Sequence, residues 1–423
     1  MPRYPPRLED GGGYRASALA RTETQEVGDA IVHGSRFDHA MERQGTGALA
    51  LAHRQHGMPP DATPLWVADM AFSPPDAVRE VLARRSAGGA LGYSIPTDGY
   101  VEALGGWFAR RHGWHVDPST AVISRGVVHG LHLAIESLTE PGDGVLIQPP
   151  VYPPFFATIR ATGRRLLTSP LVETPTGWQI DMEDFEAKAA HASAFILCSP
   201  HNPVGRVWSR IELERLADIC LRHGVRIVSD EIHADFVYPD AHHTVMATLD
   251  REVDAATVTC TAPSKTFNVA GLQVANIFAA DGETRRRMGA IYRRQGLHQH
   301  PALGLAACEA AYGGSSDAWV DELVAYLDGT MALIASFAAR RLGAVGFARP
   351  EGTYLAWLDF RALGLDAAGL RRLVVDKARL WLSDGADFGA EGSGFLRLNA
   401  AFPRATIEDA LERLARAVAG VAR

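Results

Sequence analysis

Short apolar runs alternating with helix-like segments constrain this chain more than any other feature. The runs include Ala121-Val122-Ile123, Val145-Leu146-Ile147, Ala194-Phe195-Ile196-Leu197, Val225-Arg226-Ile227-Val228 and Thr257-Val258-Thr259. One intervening segment, Ser209 to His223, opens with Ser209 and Glu212 in capping-box spacing and stops at Gly224. Strands that alternate with helices predict an α/β fold, with a mainly parallel sheet covered on both faces.

In such sheets ligands bind beyond the carboxyl ends of the strands. Three runs carry chemistry at that end. Ser199-Pro200-His201-Asn202-Pro203-Val204-Gly205 follows the Ala194 run. Ser229-Asp230-Glu231-Ile232-His233 places Asp230 directly after the Val225 strand. Thr261 to Gln273, with Lys265 inside it, follows the Thr257 run. A lysine for a Schiff base, an acid for a pyridinium nitrogen and an amide for a phenolic oxygen are what pyridoxal phosphate asks of a protein. Lys265, Asp230 and Asn202 fill those roles in this reading. Taken singly, each has a plainer one: a surface lysine, a strand-end acid capping the next helix, and an Asn-Pro turn.

Further candidates surround the three. Ser124-Arg125-Gly126-Val127-Val128 follows the Ala121 run and opens a helix-like stretch. A phosphate needs backbone N–H groups at such a start, so Gly126, Val127 and Val128 are its candidates. Ser264, beside the lysine, can add a contact. Tyr152, in a Pro-rich turn, can stack on the cofactor ring. His233 can support Asp230 or be a satisfied core histidine. Arg397, in Phe395-Leu396-Arg397-Leu398-Asn399, is a candidate for a substrate carboxylate, because a planar guanidinium grips one bidentately. Spacing alone does not separate it from the other arginines.

A length of 423 residues predicts two or three domains. We expect a mobile N-terminal arm at 1–30, the first part of a small α+β domain at 31–74, a large cofactor-binding domain at 75–312, and the rest of the small domain at 313–423. The loop Gly313-Gly314-Ser315-Ser316 marks the last boundary. Beyond it we expect a long helix from Asp317 to about Arg341, strands at Ala344 to Phe347 and Thr353 to Phe360, a helix around Ala367 to Lys377, a strand near Phe395 to Leu398, and a final helix from Thr406. A net charge of −7 speaks against a nucleic-acid partner. No apolar run approaches membrane-spanning length and the first residues lack a signal core, which together predict a cytoplasmic protein without a membrane partner. The four cysteines form no CxxC pair, and the histidine pairs lack the acids of a familiar metal site.

These residues resemble the fold-type I pyridoxal phosphate enzymes, the aspartate aminotransferase superfamily. Within it they look most like the carbon–sulfur lyases of the MalY/PatB cystathionine β-lyase type. The resemblance runs from about Phe37 to the C-terminus. It is carried by Trp66-Val67-Ala68-Asp69-Met70, Leu91-Gly92-Tyr93-Ser94, Pro149 to Phe155, Ser199 to Trp208, Ser229 to Phe236, Ser264 to Gln273 and Phe395 to Arg404. It implies a homodimer with shared active sites, in which Tyr93 reaches the cofactor phosphate of the neighbouring subunit. It also implies α,β-elimination from cystathionine or another S-substituted L-cysteine. Three positions bear on the substrate. Gln273 stands where many aminotransferases of this fold carry arginine, as in the lyases. Ala71 replaces a second acid usual in the lyases, and Phe402 stands where they often have cysteine. Transamination, a specialised enzyme acting on a cysteine-conjugated natural product, and a non-catalytic regulator are the rival readings.

Overall fold

The computed structural model describes residues 34–175 and 177–421, so the expected arm at 1–30 lies outside it. The core of the fold is a seven-stranded sheet built from β1 (Ala121–Ser124), β2 (Gly144–Ile147), β3 (Arg165–Thr168), β4 (Ala194–Cys198), β5 (Arg226–Asp230), β6 (Thr257–Thr261) and β7 (Ala275–Ala279). Their order across the sheet is β1-β7-β6-β5-β4-β2-β3. The run from β6 to β3 is parallel, and β7 is antiparallel to both its neighbours. The central strands β4 and β6 are buried along their whole length, and β4, Ala-Phe-Ile-Leu-Cys, accordingly reads as an unbroken apolar run instead of an alternating one.

Two strands of this sheet were not expected from the sequence. Strand β3 lies at the edge and begins with an exposed arginine, so its apolar signal is weak. Strand β7 is interrupted by Asn276, a polar residue that is fully buried. Its amide oxygen accepts a hydrogen bond from the Tyr100 hydroxyl at 2.6 Å, which meets the cost of placing an amide in the core. The helix α1 (Val127–Leu138) crosses β7 closely: a Cβ on Gly130 would lie 2.3 Å from the Ile277 side chain. The helix α2 (Arg210–Arg222) begins with the expected capping box, Ser209 and Glu212 each bonding the other's backbone.

The second sheet has four strands, β8 (Gly346–Phe347), β9 (Leu355–Asp359), β10 (Ser383–Asp384) and β11 (Phe395–Asn399), in the order β8-β9-β11-β10. The helix expected around Ala367 to Lys377 is present, with its second half, Arg372–Lys377, widened into a π-helix. The expected long helix spans Asp317–Arg341 and the last one Arg404–Ala419. By length and composition Asp317–Arg341 could cross a membrane, which corrects the expectation that no such segment exists. Here it buries Trp319, Leu323, Leu327, Met331 and Ile334 in the same apolar cluster as Phe37, Phe72 and Leu398, so it serves as a core helix. That cluster joins the 37–72 segment to the C-terminal elements, and from Arg36 onward the chain is one compact unit.

Candidate active site

Strands β4, β5 and β6 lie side by side and parallel, so their carboxyl ends share one edge of the sheet. Asn202 follows β4 by four residues. Asp230 is the last residue of β5 itself, not the first residue after it, and its register partners on the two sides are Cys198 and Cys260. Lys265 lies in the short helix Pro263–Thr266 that follows β6, with Ser264 half-buried beside it in the first turn. Three residues separated in sequence by tens of positions thus meet because a parallel sheet brings its strand ends together.

Burial sets the electrostatics of this edge. Asp230 is 3% exposed, and among the described residues its carboxyl accepts one hydrogen bond, from the Ile232 N–H at 3.2 Å. Loss of water pushes its carboxyl up to about 7, with Glu231 adding to the rise and Lys265 opposing it. Burial draws the Lys265 ammonium down to about 8, helped by the nearby Arg397 charge and opposed by Asp69 and Asp230. Tyr152 stands in the same field: burial and Asp230 push its hydroxyl up to about 12 while Arg397 pulls the other way.

The opposite wall is a strap, Trp66 to Phe72, in which every backbone carbonyl accepts a hydrogen bond. Arg397 Nη2 and Ser383 Oγ donate to the Trp66 carbonyl, each at 2.9 Å. Asn399 Nδ2 donates to the carbonyls of Val67 and Asp69 at 2.7 and 2.5 Å. Lys265 Nζ and the Tyr354 hydroxyl both donate to the Ala68 carbonyl, the second at 3.0 Å. Asn268 Nδ2 takes Met70 and Phe72, and the Met41 N–H takes Ala71. Arg397 also donates through Nη1 to Asn202 Oδ1 at 2.9 Å and lies over the Phe388 ring. Its Nε is buried without a partner, and burial brings its guanidinium down to about 10. A buried guanidinium with an unused N–H is ready for a carboxylate.

The remaining sequence candidates divide. Gly126 caps α1 with φ of 90°, a backbone that an L side chain rarely adopts, and the Val127 and Val128 amides open the helix behind it. His233 is 3% exposed and packs its ring 5.8 Å from that of Tyr354; burial, Lys265 and Arg397 hold it well below the usual histidine range, so it is neutral. Among the described residues it makes no hydrogen bond to Asp230. Tyr93 lies apart from the cluster and is 90% exposed within one chain. Sequence reasoning missed Tyr354, Asn399 and Asn268. Asn399 adjoins the Arg397 motif and Asn268 lies three residues past the lysine, but nothing local marks what they bind. Tyr354 follows Thr353, a buried β-branched residue with φ of 67°, which only a structure reveals.

These groups fit the expected cofactor. The Asp230 carboxyl is buried with no cation in ion-pair reach among the described residues, as a partner for a pyridinium N–H must be. The α1 amides suit a phosphate, and the Lys265 amine is buried between the two walls. Comparison with known proteins agrees. The chain is 43% identical to "Cystathionine beta-lyase PatB" of Bacillus subtilis over 382 residues, 89% of this chain and 98% of that protein. It is 33% identical to "Protein MalY" of Escherichia coli over 92% of this chain and 97% of the relative. The structure of cystalysin from Treponema denticola, described as containing pyridoxal 5'-phosphate, superposes with a TM-score of 0.87 at 34% identity, covering 91% of this chain and 98% of cystalysin. Residues 60–414 match the family described as aminotransferase class I and II, and the chain belongs to that family.

Proposed function

We infer that this protein is a pyridoxal phosphate-dependent carbon–sulfur β-lyase of the fold-type I class. It cleaves cystathionine or another S-substituted L-cysteine to a thiol, pyruvate and ammonia. The observation that carries this reading is the pairing of Lys265 and Arg397 on one strap, across from Asp230, in a chain 43% identical to a protein named cystathionine β-lyase. When bound, pyridoxal phosphate withdraws electrons from the substrate Cα, which acidifies its proton and lets the Cβ–S bond break. Asp230 would hold the pyridinium nitrogen and Asn202 the phenolic oxygen, and Tyr152 would stack on the ring. Gly126, Val127, Val128 and Ser264 would bind the phosphate. Lys265 would bond the cofactor at rest and would take the Cα proton as a free amine; an amine depressed to about 8 suits that task near neutral pH. Arg397 fixes the α-carboxylate, so that the Cα–H bond faces Lys265. The leaving thiol has a pKa of only ~8.5 and departs without strong assistance.

We further propose a cytoplasmic homodimer in which Tyr93, exposed in the single chain, reaches the neighbouring subunit's phosphate site. Its exposed companions Leu91 and Ile95 suit an apolar subunit contact. The test of the reaction is direct: the cofactor-loaded protein is mixed with L-cystathionine and S-substituted cysteines without any 2-oxo acid. Pyruvate, ammonia and thiol should appear together. Conversion of the cofactor to its amine form without pyruvate would replace elimination with transamination.

A further inference from the structure

The strap orders the site like a ruler. At Trp66 it meets Arg397, the α-carboxylate anchor; at Ala68 it meets Lys265, which acts at Cα. The next residue, Asp69, meets a second arginine. Arg43 Nη1 donates to Asp69 Oδ1 at 3.1 Å, and the Arg43 guanidinium lies 5.6 Å from the centre of the Phe402 ring. The Arg43 side chain is only 11% exposed, against 27% for that of Asp69. Among the described residues this single bond is the only one its guanidinium makes. A guanidinium carries five N–H donors, and none of those left over on Arg43 is among the buried atoms without a partner, so they stay open to solvent and to a ligand.

The pair adjoins the chemistry: Asp69 directly follows Ala68, whose carbonyl takes the Lys265 amine. The Asp69 carboxylate lies close enough to Lys265 to raise its amine and to Tyr354 to raise its hydroxyl. The sequence Arg397, Lys265, Arg43 along the strap therefore runs in the order carboxylate, Cα, leaving group of an S-substituted cysteine. We propose that Arg43 is a second anion subsite, which binds a carboxylate on the thiol half of the substrate while Asp69 and the Phe402 ring hold the guanidinium in place. This rests on the elimination reading and narrows its substrate class to cysteine conjugates with an acidic thiol half.

Two substrates of matched length decide it: S-(2-carboxyethyl)-L-cysteine and its neutral analogue S-butyl-L-cysteine. The cofactor-loaded wild type should show a kcat/KM for the acid higher by about 10-fold or more, the scale of a charge-assisted hydrogen bond. In Arg43→Met that ratio should collapse toward one, and in Arg43→Lys it should fall only partly, since the charge remains without the bidentate fork. Equal rates for the two substrates in the wild type, or an unchanged ratio in Arg43→Met, overturn the subsite. Calorimetric titration with the product thiols, 3-mercaptopropionate against 1-butanethiol, separates this proposal from the reaction on which it rests. If no pyruvate forms from either substrate, elimination fails; tighter binding of the acid that is lost in Arg43→Met still supports the subsite, and equal binding removes it.

Discussion

The two walls of the site are built by different means. At the sheet end, Asn202, Asp230 and Lys265 owe their placement to strands that each reach the same edge, and every one lies within a few residues of the strand that aims it. At the strap, the side chains that grip Trp66 to Phe72 come mostly from 196 to 332 residues away. The first wall carries charges whose protonation burial disturbs. The second is held mainly by the neutral amides of Asn399 and Asn268 and the hydroxyls of Ser383 and Tyr354, with Arg397 and Lys265 the charged donors. Local order thus supplies the groups proposed to react, and long-range hydrogen bonds hold the strap opposite them.

The strongest way to break this division is Lys265→Ala. It removes a sheet-end group that also bonds the strap, and pyruvate release from an S-substituted cysteine should fall to the detection limit while the variant stays folded by circular dichroism. Normal turnover would end the assignment of the lysine and with it the sheet-end half of the comparison.

The same division explains what the sequence could reveal. Asp230 and Lys265 were legible because a parallel sheet ties residue order to position: whatever ends β5 must lie beside whatever follows β6. Asn276 hid its strand because a buried amide breaks an apolar run, and only the Tyr100 hydroxyl across the core makes it tolerable. Arg397 could be named but not chosen from spacing, since its selection depends on Asn202, Ser383 and the Trp66 carbonyl converging on it. Asn399 and Tyr354 were invisible for the same reason: the acceptors they serve are carbonyls, which every residue has.

Protonation sharpens the contrast. In the folded, cofactor-free chain Asp230 rises from 3.8 to about 7. The folded state then holds more protons than the unfolded one between about pH 4 and 7, so stability falls as pH rises through that window. Lys265 falls from 10.5 to about 8, so the unfolded state holds more protons between those values and stability climbs again with pH. Denaturant unfolding across a pH series should show both slopes, and Asp230→Asn should erase the first and keep the second. A decline between pH 4 and 7 that persists in the Asn variant would locate the charge strain elsewhere.

The strap should respond without regard to pH. Asn399→Ala leaves two partly buried carbonyls, those of Val67 and Asp69, without their donor, at a cost of about 2 kcal/mol. Its unfolding curve should shift down by a similar amount from pH 5 to 9. A shift that changed with pH would mean that the Asn399 bonds themselves feel the field through which Asp69 acts on Lys265, and the two walls would no longer be separable.

The smallest effect tests how the strap side is aimed. Thr353 is fully buried with φ of 67°, and its neighbour Tyr354 donates to the Ala68 carbonyl. A β-branched residue in that region is strained by roughly 1–2 kcal/mol. The surrounding bonds impose it: the Thr353 N–H donates to the Phe236 carbonyl at 2.8 Å, and the Thr353 carbonyl accepts from the Tyr238 hydroxyl at 2.7 Å. Glycine relieves the strain but frees the unfolded chain and loses the Oγ1 bond to the Leu355 N–H. Thr353→Gly should therefore change stability by less than about 1 kcal/mol. If the strained turn serves to point Tyr354 at the strap, kcat/KM should drop several-fold all the same. A variant unchanged in both would make the turn a by-product of packing, and the aim of Tyr354 would then rest on the His233 and Phe236 rings that flank it.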